Sequence, residues 1–199
     1  MIYLFIIISY LVGSVPTGLI LSKASGVDIR RAGSGNIGAT NARRAAGNTV
    51  ALAVLVCDLL KGVLPVLAAR WIAGPTNYGL WFMAASAIAS MVGHIFPIYL
   101  GLKPSGKGVA TALGGFLVLA PTTAFAALAV FLVLVIISRR VSVGSLVAVV
   151  SLAPFAWLTT HRWATVAAGI LTAGLIVWRH KENIQRLLRG QEPTLGQKN

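Results

Sequence analysis

Acid is nearly missing from this sequence. The 199 residues include four Asp and Glu against 17 Lys and Arg, too few to expect paired catalytic carboxylates or an oxygen-ligated metal cage, and no metal site is expected. Cysteine is scarcer still. Cys57 stands alone inside an apolar run, which excludes a disulfide framework and a cysteine-rich metal site and reads as a small buried hydrophobe. Charge of either sign is thin, at 11% of residues, while 57% are apolar. That balance lies outside the range of soluble domains and marks an integral membrane protein. In a soluble chain the net charge of +13 would point to nucleic acid. Here the basic residues fall between apolar runs, where they record orientation in a bilayer, so the expected partner is lipid and not nucleic acid. Also lacking are a repeat of fixed period, a low-complexity segment, and a short apolar core followed by a small-residue cleavage site. Residues 2–22 therefore read as a retained helix.

A spanning helix needs about 20 mostly apolar residues. Runs near that length occupy 2–22, 49–73, 79–100, 144–160 and 163–179, and a longer one fills 109–138. The longer run is either one tilted helix or two short ones joined at Ala120-Pro121. Charge decides between them. Lys23, Arg30, Arg31, Arg43 and Arg44 lie in the first loop, Lys103 and Lys107 in a later one, Arg139 and Arg140 in another, and Arg179, Lys181, Arg186, Arg189 and Lys198 in the tail. If 109–138 crosses twice, these segments share one face and carry 14 of the 17 basic residues, as the positive-inside rule asks. Only Arg70 and Arg162 then lie toward the other face. The expectation is an all-α fold: one integral membrane domain over 1–199, a polytopic transmembrane bundle of seven crossings, with the N-terminus outside and the C-terminus cytoplasmic. Residues 109–120 make a short crossing, which should be surrounded by other helices. Asp58 and Lys61, three apart on one helical face, can pair inside a span. A lone charge at mid-bilayer costs about 2.5–3.5 kcal/mol, so the pair is either functional or a structural tie between helices.

The polar segments carry the chemistry. In GSGNIGATN (33–41), Gly33, Gly35 and Gly38 let successive amides turn into one concavity, and Ser34, Asn36, Thr40 and Asn41 add donors. NARRAAG then reads as a short helix closed by Gly47. Loop amides, a helix N-terminus and Arg43 or Arg44 suit an anion, best a phosphate. The plainer alternative is a reversing connection whose arginines anchor the membrane edge. In GHIFPIYLGLKPSGKGVATALG (93–114), Lys107 stands between Gly106 and Gly108 just before a helix, without the spacing or preceding strand of a Walker A loop. His94 lies upstream, near Pro97. In SRRVSVGS (138–145), two arginines precede Ser142 and Ser145, which membrane anchoring and helix capping also explain. WRHKENIQRLLRG (178–190) leaves the last span as a helix with His180, Asn183 and Leu187 on one face; an amphipathic anchor is its alternative.

Under the charge-derived topology all four segments lie on the cytoplasmic face. That constellation suits an enzyme joining phosphorylated, water-soluble chemistry to an acyl chain in the bilayer. No histidine has an aspartate close behind it, and neither a nucleophile elbow nor a usable cysteine nucleophile is visible. Positioning and charge fit better than a covalent enzyme intermediate.

GSVPTG in the first run, GSGNIGATN with the arginine and glycine that follow, DLLKG, GHIFP leading to SGKGVATALG, and HKENIQRLLRGQEP resemble, in order, motifs of the bacterial acyl-phosphate:glycerol-3-phosphate acyltransferases. The resemblance runs along almost the whole chain. It implies transfer of a fatty acyl group from acyl phosphate to glycerol 3-phosphate, giving lysophosphatidic acid and inorganic phosphate at the start of phospholipid synthesis. It further implies the inner (plasma) membrane, no cofactor, and coupling to an acyl-phosphate-forming enzyme. Catalytic roles fall on Ser34, Asn36, His180 and Asn183. Substrate or phosphate contacts fall on Gly35, Thr40, Asn41, Arg44, Gly106, Lys107, Gly108, Ser142 and Glu182. Arg44 fits the pattern better than Arg43. One departure is KPSGKG, a residue longer than the family's pattern and carrying Pro104, which keeps Lys107 in register with the next helix but not Lys103. If a side-chain base takes the proton, His180 is first choice and His94 second; the substrate's phosphate competes with both. A small anion or phosphate-ester transporter is the alternative reading, supported by Asp58-Lys61 and glycine-broken helices but lacking a matched pair of broken helices in two halves.

Overall fold

The structure, a computed structural model, describes residues 2–74 and 76–197; Lys198, counted above in the basic tail, lies outside them. Its helices are α1 (Ile2–Ser14), α2 (Thr17–Ala24), α3 (Ala39–Ala73), α4 (Asn77–Ile95), α5 (Val109–Leu119), α6 (Pro121–Ser138), α7 (Val141–Thr160), α8 (Trp163–Arg179) and α9 (Lys181–Leu188), with single 3-10 turns at Ile29–Arg31 and Ile98–Leu100. No strand forms among the described residues. Five segments are long and apolar enough to cross a membrane, and α5 and α8 are shorter apolar helices. This is an integral membrane helix bundle.

Three breaks in the apolar runs decide its geometry. The first run is not one helix, contrary to the sequence expectation. Pro16, with no amide hydrogen to continue the ladder, sits at φ −82°, ψ 64° and separates α1 from α2. Averaged over the run, hydropathy gives no sign of the interruption, because α1 is strongly apolar and the break is short. Within α3, Gly47 takes φ 88°, ψ 179°, a conformation open to glycine alone. It closes the short helix 39–46 and redirects the chain into the span. Ala120 (φ −153°, ψ 80°) ends α5, and Pro121 opens α6 at the position where a missing N–H costs nothing. The long run 109–138 is therefore two helices.

α5 packs against α3 and α4, while α6 pairs with α7 and α7 with α8. Thr111, Ala112, Gly114, Gly115, Phe116 and Leu119 of α5 are buried, as a helix too short to face lipid on all sides requires. The α3–α5 crossing depends on small residues: a Cβ on Gly62 would overlap the Thr111 carbonyl, and one on Gly114 the Leu59 carbonyl. Cys57 is only partly buried.

The four polar segments meet at one end of this bundle. Ile37 N–H donates to the Ser105 carbonyl at 3.3 Å, joining the first glycine loop to the second. Arg179 Nε donates to the Gly106 carbonyl at 2.9 Å, joining the second to the end of α8. Arg140 Nε donates to the Glu192 carbonyl at 3.1 Å, and Leu195 N–H to the Arg139 carbonyl at 2.6 Å. Those two bonds sew the α6–α7 link to the segment after α9.

Candidate active site

The first loop is organised from within by one buried amide. Asn41 Nδ2 donates to the carbonyls of Ile29 (3.2 Å), Ala32 (2.9 Å) and Asn36 (2.9 Å), while its Oδ1 accepts from Ser34 N–H at 3.1 Å. The two amide hydrogens are shared among three acceptors, so no donor is left for a ligand. Asn41 builds the loop with both of its amide hydrogens. Asn36 Oδ1 accepts from Gly38 N–H at 2.8 Å, an Asx turn that brings the chain into α3 and leaves the Asn36 amide hydrogens without an acceptor among the described residues. Gly33 and Gly35 hold positive φ of 54° and 69°, and a Cβ on Gly33 would overlap Asn41 Oδ1. Ser34 and Thr40 are exposed at the rim. Arg43 and Arg44 are exposed too, but the Arg44 side chain returns over the loop, its Cδ 3.9 Å from where a Gly33 Cβ would be.

The second loop is held from outside. Ser105 N–H donates to the Ile95 carbonyl at 3.0 Å, and Gly106 is buried against the His94 imidazole so closely that a Cβ would overlap Nε2. Gly108 turns the chain into α5 at φ 83°. Between these glycines, half-buried Lys107 points its ammonium at Asn183 Oδ1, 2.5 Å away. Burial pulls the Lys107 pKa down to about 8; Arg186 and Arg179 push the same way, and Glu192 opposes them.

Asn183 in turn donates from Nδ2 to Glu192 Oε1 at 2.6 Å, and Arg186 Nε donates to Glu192 Oε2 at 2.7 Å. Burial works to raise the Glu192 carboxyl, but its neighbours Ser142, Asn183 and Arg186 outweigh that and hold it below the usual range. Ser142 is buried beside this carboxylate, yet its hydroxyl makes no hydrogen bond of normal geometry. His180 is also buried. Burial first, and the Lys107 charge second, bring its pKa down to about 4, so the ring is neutral at pH 7. Nδ1 lies 2.8 Å from the Ile176 carbonyl; the neutral ring places its proton there and leaves Nε2 with a free lone pair.

Lys107, Gly106, Gly108, Asn183, His180 and Ser142 are thus gathered by α5, α7, α8 and α9, with the first loop tied on through Ile37. Glu182 is not drawn in: it is exposed in the first turn of α9 and reaches Lys107 only through its longer-range field. Lys103 is exposed as well. Glu192, Arg179 and Arg186 were not among the expected site residues. Glu192 had a signal nonetheless, as one of four acids in a very basic chain.

Residues 3–190 match the family model described as glycerol-3-phosphate acyltransferase. The chain belongs to the glycerol-3-phosphate acyltransferase family. Its curated relatives of that name include proteins from Geobacter sulfurreducens, 46% identical over 185 residues (93% of each chain), and from Thermosynechococcus vestitus, 42% identical over 197 residues (96% of this chain, 93% of the other). The crystal structure of PlsY, an integral membrane glycerol 3-phosphate acyltransferase, in its glycerol 3-phosphate form superposes with a TM-score of 0.91 at 37% identity, covering 98% of this chain and 96% of that one. The lysophosphatidic acid form of PlsY gives a TM-score of 0.88 at 36% identity, covering 97% and 94%. The family model stops two residues short of Glu192, whose carboxylate completes the polar cluster in this member.

Proposed function

We propose that the chain transfers a fatty acyl group from an acyl phosphate to glycerol 3-phosphate, releasing lysophosphatidic acid and inorganic phosphate. The carrying observation is the Lys107 ammonium. It sits between two glycines where both loops join, and among the described residues it is bonded to a neutral amide and to no carboxylate. Cations and amides aimed at a phosphate stabilise the negative charge that builds up as phosphate leaves. The glycerol hydroxyl attacks the acyl carbonyl carbon, the carbonyl C–O bond to phosphate breaks, and the hydroxyl proton passes to the departing phosphate. With a pKa near 4, His180 holds a proton poorly at neutral pH, whereas a phosphate group, with a second pKa of about 6, holds it better. His180 Nε2 then orients the hydroxyl, and Ser34, Asn36, Arg44 and Ser142 contact the substrates. No cofactor enters the scheme.

The acyl chain has a place to lie in the same reading. A cavity of about 570 Å³ between α1, α4 and α8 is lined by Ile6, Tyr10, Trp81, Ile88, Val92 and Leu171, among other apolar side chains. At its Tyr10 end the phenol donates to the Phe96 carbonyl at 2.7 Å, and Phe96 stacks on Trp178, two residues before His180. The five long segments and two short apolar helices supply seven crossings in a single domain, with the polar end in the cytoplasm of the inner membrane by the positive-inside rule. The donor comes from a separate acyl-phosphate-forming enzyme.

The test is reconstitution of the full chain in lipid with acyl phosphate and glycerol 3-phosphate. Inorganic phosphate and lysophosphatidic acid should appear in equal amounts. If neither forms, and glycerol 3-phosphate instead accumulates inside sealed vesicles, the transporter reading replaces this one.

A further inference from the structure

The mechanism leaves one buried charged cluster without a task. Asp58 and Lys61 of α3 are both buried and bonded at 2.8 Å. The same Asp58 Oδ1 accepts from Thr17 Oγ1 at 2.8 Å and lies 3.5 Å from His94 Nδ1, which has no other polar partner. A structural ion pair needs only Lys61. The two further groups come from other helices, and each sits one residue or one ring away from a glycine loop.

Thr17 opens α2, directly after the Pro16 break. The next residue, Gly18, is packed so tightly on the first loop that a Cβ would overlap the Ile37 carbonyl. His94 presents Nδ1 to Asp58 and its opposite edge, Nε2, to Gly106 of the second loop. The loops close the ring through the Ile37 to Ser105 hydrogen bond. One carboxylate is therefore linked through two rigid arms to both proposed phosphate-holding loops, and a shift of a few tenths of an ångström at either arm has no slack to absorb it.

We propose that Asp58 is the common anchor of the two glycine loops, with Thr17 and His94 as positioning residues that carry its register to the first and second loop. The proposal rests on the acyltransferase reading above. Its experiment uses the full chain, with glycerol 3-phosphate binding measured by calorimetry beside turnover and thermal stability. Thr17→Val keeps the shape and removes the hydroxyl; His94→Phe keeps the ring and removes Nδ1. Each should weaken glycerol 3-phosphate binding about tenfold while unfolding stays within a few degrees of the parent. Thr17→Ser and His94→Asn, which restore a donor to Asp58, should recover binding to within about threefold. Because both arms act through one carboxylate, the double variant should weaken binding by much less than the product of the single effects. Multiplicative effects, or single variants that lose stability but bind like the parent, overturn the proposal. If Thr17→Val or His94→Phe fails to fold, Asp58→Asn/Lys61→Met decides: unfolding of that variant marks a purely structural cluster and overturns the proposal, as does a folded variant that binds like the parent, whereas a folded variant with weakened binding supports it. A parent protein that neither turns over nor binds glycerol 3-phosphate removes the acyltransferase reading itself, a result distinct from a competent parent whose variants all match it.

Discussion

The two glycine loops are built on opposite plans. Residues 33–38 are shaped by a neutral side chain from within, Asn41, and the nearby arginines stand exposed in solvent. Residues 105–108 are shaped by neighbours from outside: the His94 ring on one side, Arg179 on the Gly106 carbonyl, and Lys107 tethered to Asn183. Shape and charge are carried by different residues in the first loop and by the same web in the second. Removing a side chain from the first should thus collapse a surface, while removing one from the second should leave the surface and delete a charge.

The sharpest way to separate the plans is Lys107→Ala. Loss of a preorganised cation at a developing oxyanion costs about 10²–10³ in kcat, and phosphate release should fall by that much with thermal unfolding little changed. Asn183→Ala should follow closely, since it frees the ammonium from its alignment. Asn41→Ala should instead lose activity and stability together. It leaves the Asn36 carbonyl and the Ser34 amide without Asn41 and takes a second donor from the Ile29 and Ala32 carbonyls, which keep the Ala32 and Gly35 amides, at about 1–3 kcal/mol for a group left buried and unpaired, and an unfolding temperature equal to the parent's would show that the loop does not depend on it. A pH series gives a smaller effect. With a pKa near 8, Lys107 is charged below that value and neutral above it, so KM for glycerol 3-phosphate should rise as pH passes from 7 to 9. The phosphate itself is already dianionic over that range, and Lys107→Arg should flatten the rise. Least of all, Arg44→Ala should raise KM several-fold and Arg43→Ala hardly at all; equal effects would leave the contact of Arg44 with the first loop without consequence.

Charge placement let the shared end of the four polar segments be read from sequence, because few basic residues fall outside them. The same charge placement made the division of the long run legible, with Ala120-Pro121 as its join. Pro16 was equally visible, but the polar residues beside it, Ser14 and Thr17, are too few to lower the mean hydropathy of the run, and hydropathy alone merged α1 with α2. The loop-building part of Asn41 was hidden for a different reason: an amide that holds a loop and an amide that holds a ligand are the same residue in the same motif, and the sequence does not give the count of its partners. Glu192 escaped because it lies beyond the end of α9 and its carboxylate folds back onto Asn183 and Arg186 of that helix, so no helical spacing announces it.

The sewing of Glu192 and Leu195 to the α6–α7 link bears on the order in which the protein is made. Both glycine loops precede the last four apolar helices in the chain, whereas Asn183 and Glu192 follow all of them. A chain paused partway through membrane insertion already owns its loops and Lys107, yet it lacks the amide that aims that lysine and the acid that holds the amide. With Lys107 aligned as proposed, competence for acyl transfer waits on the last helix and the segment after it.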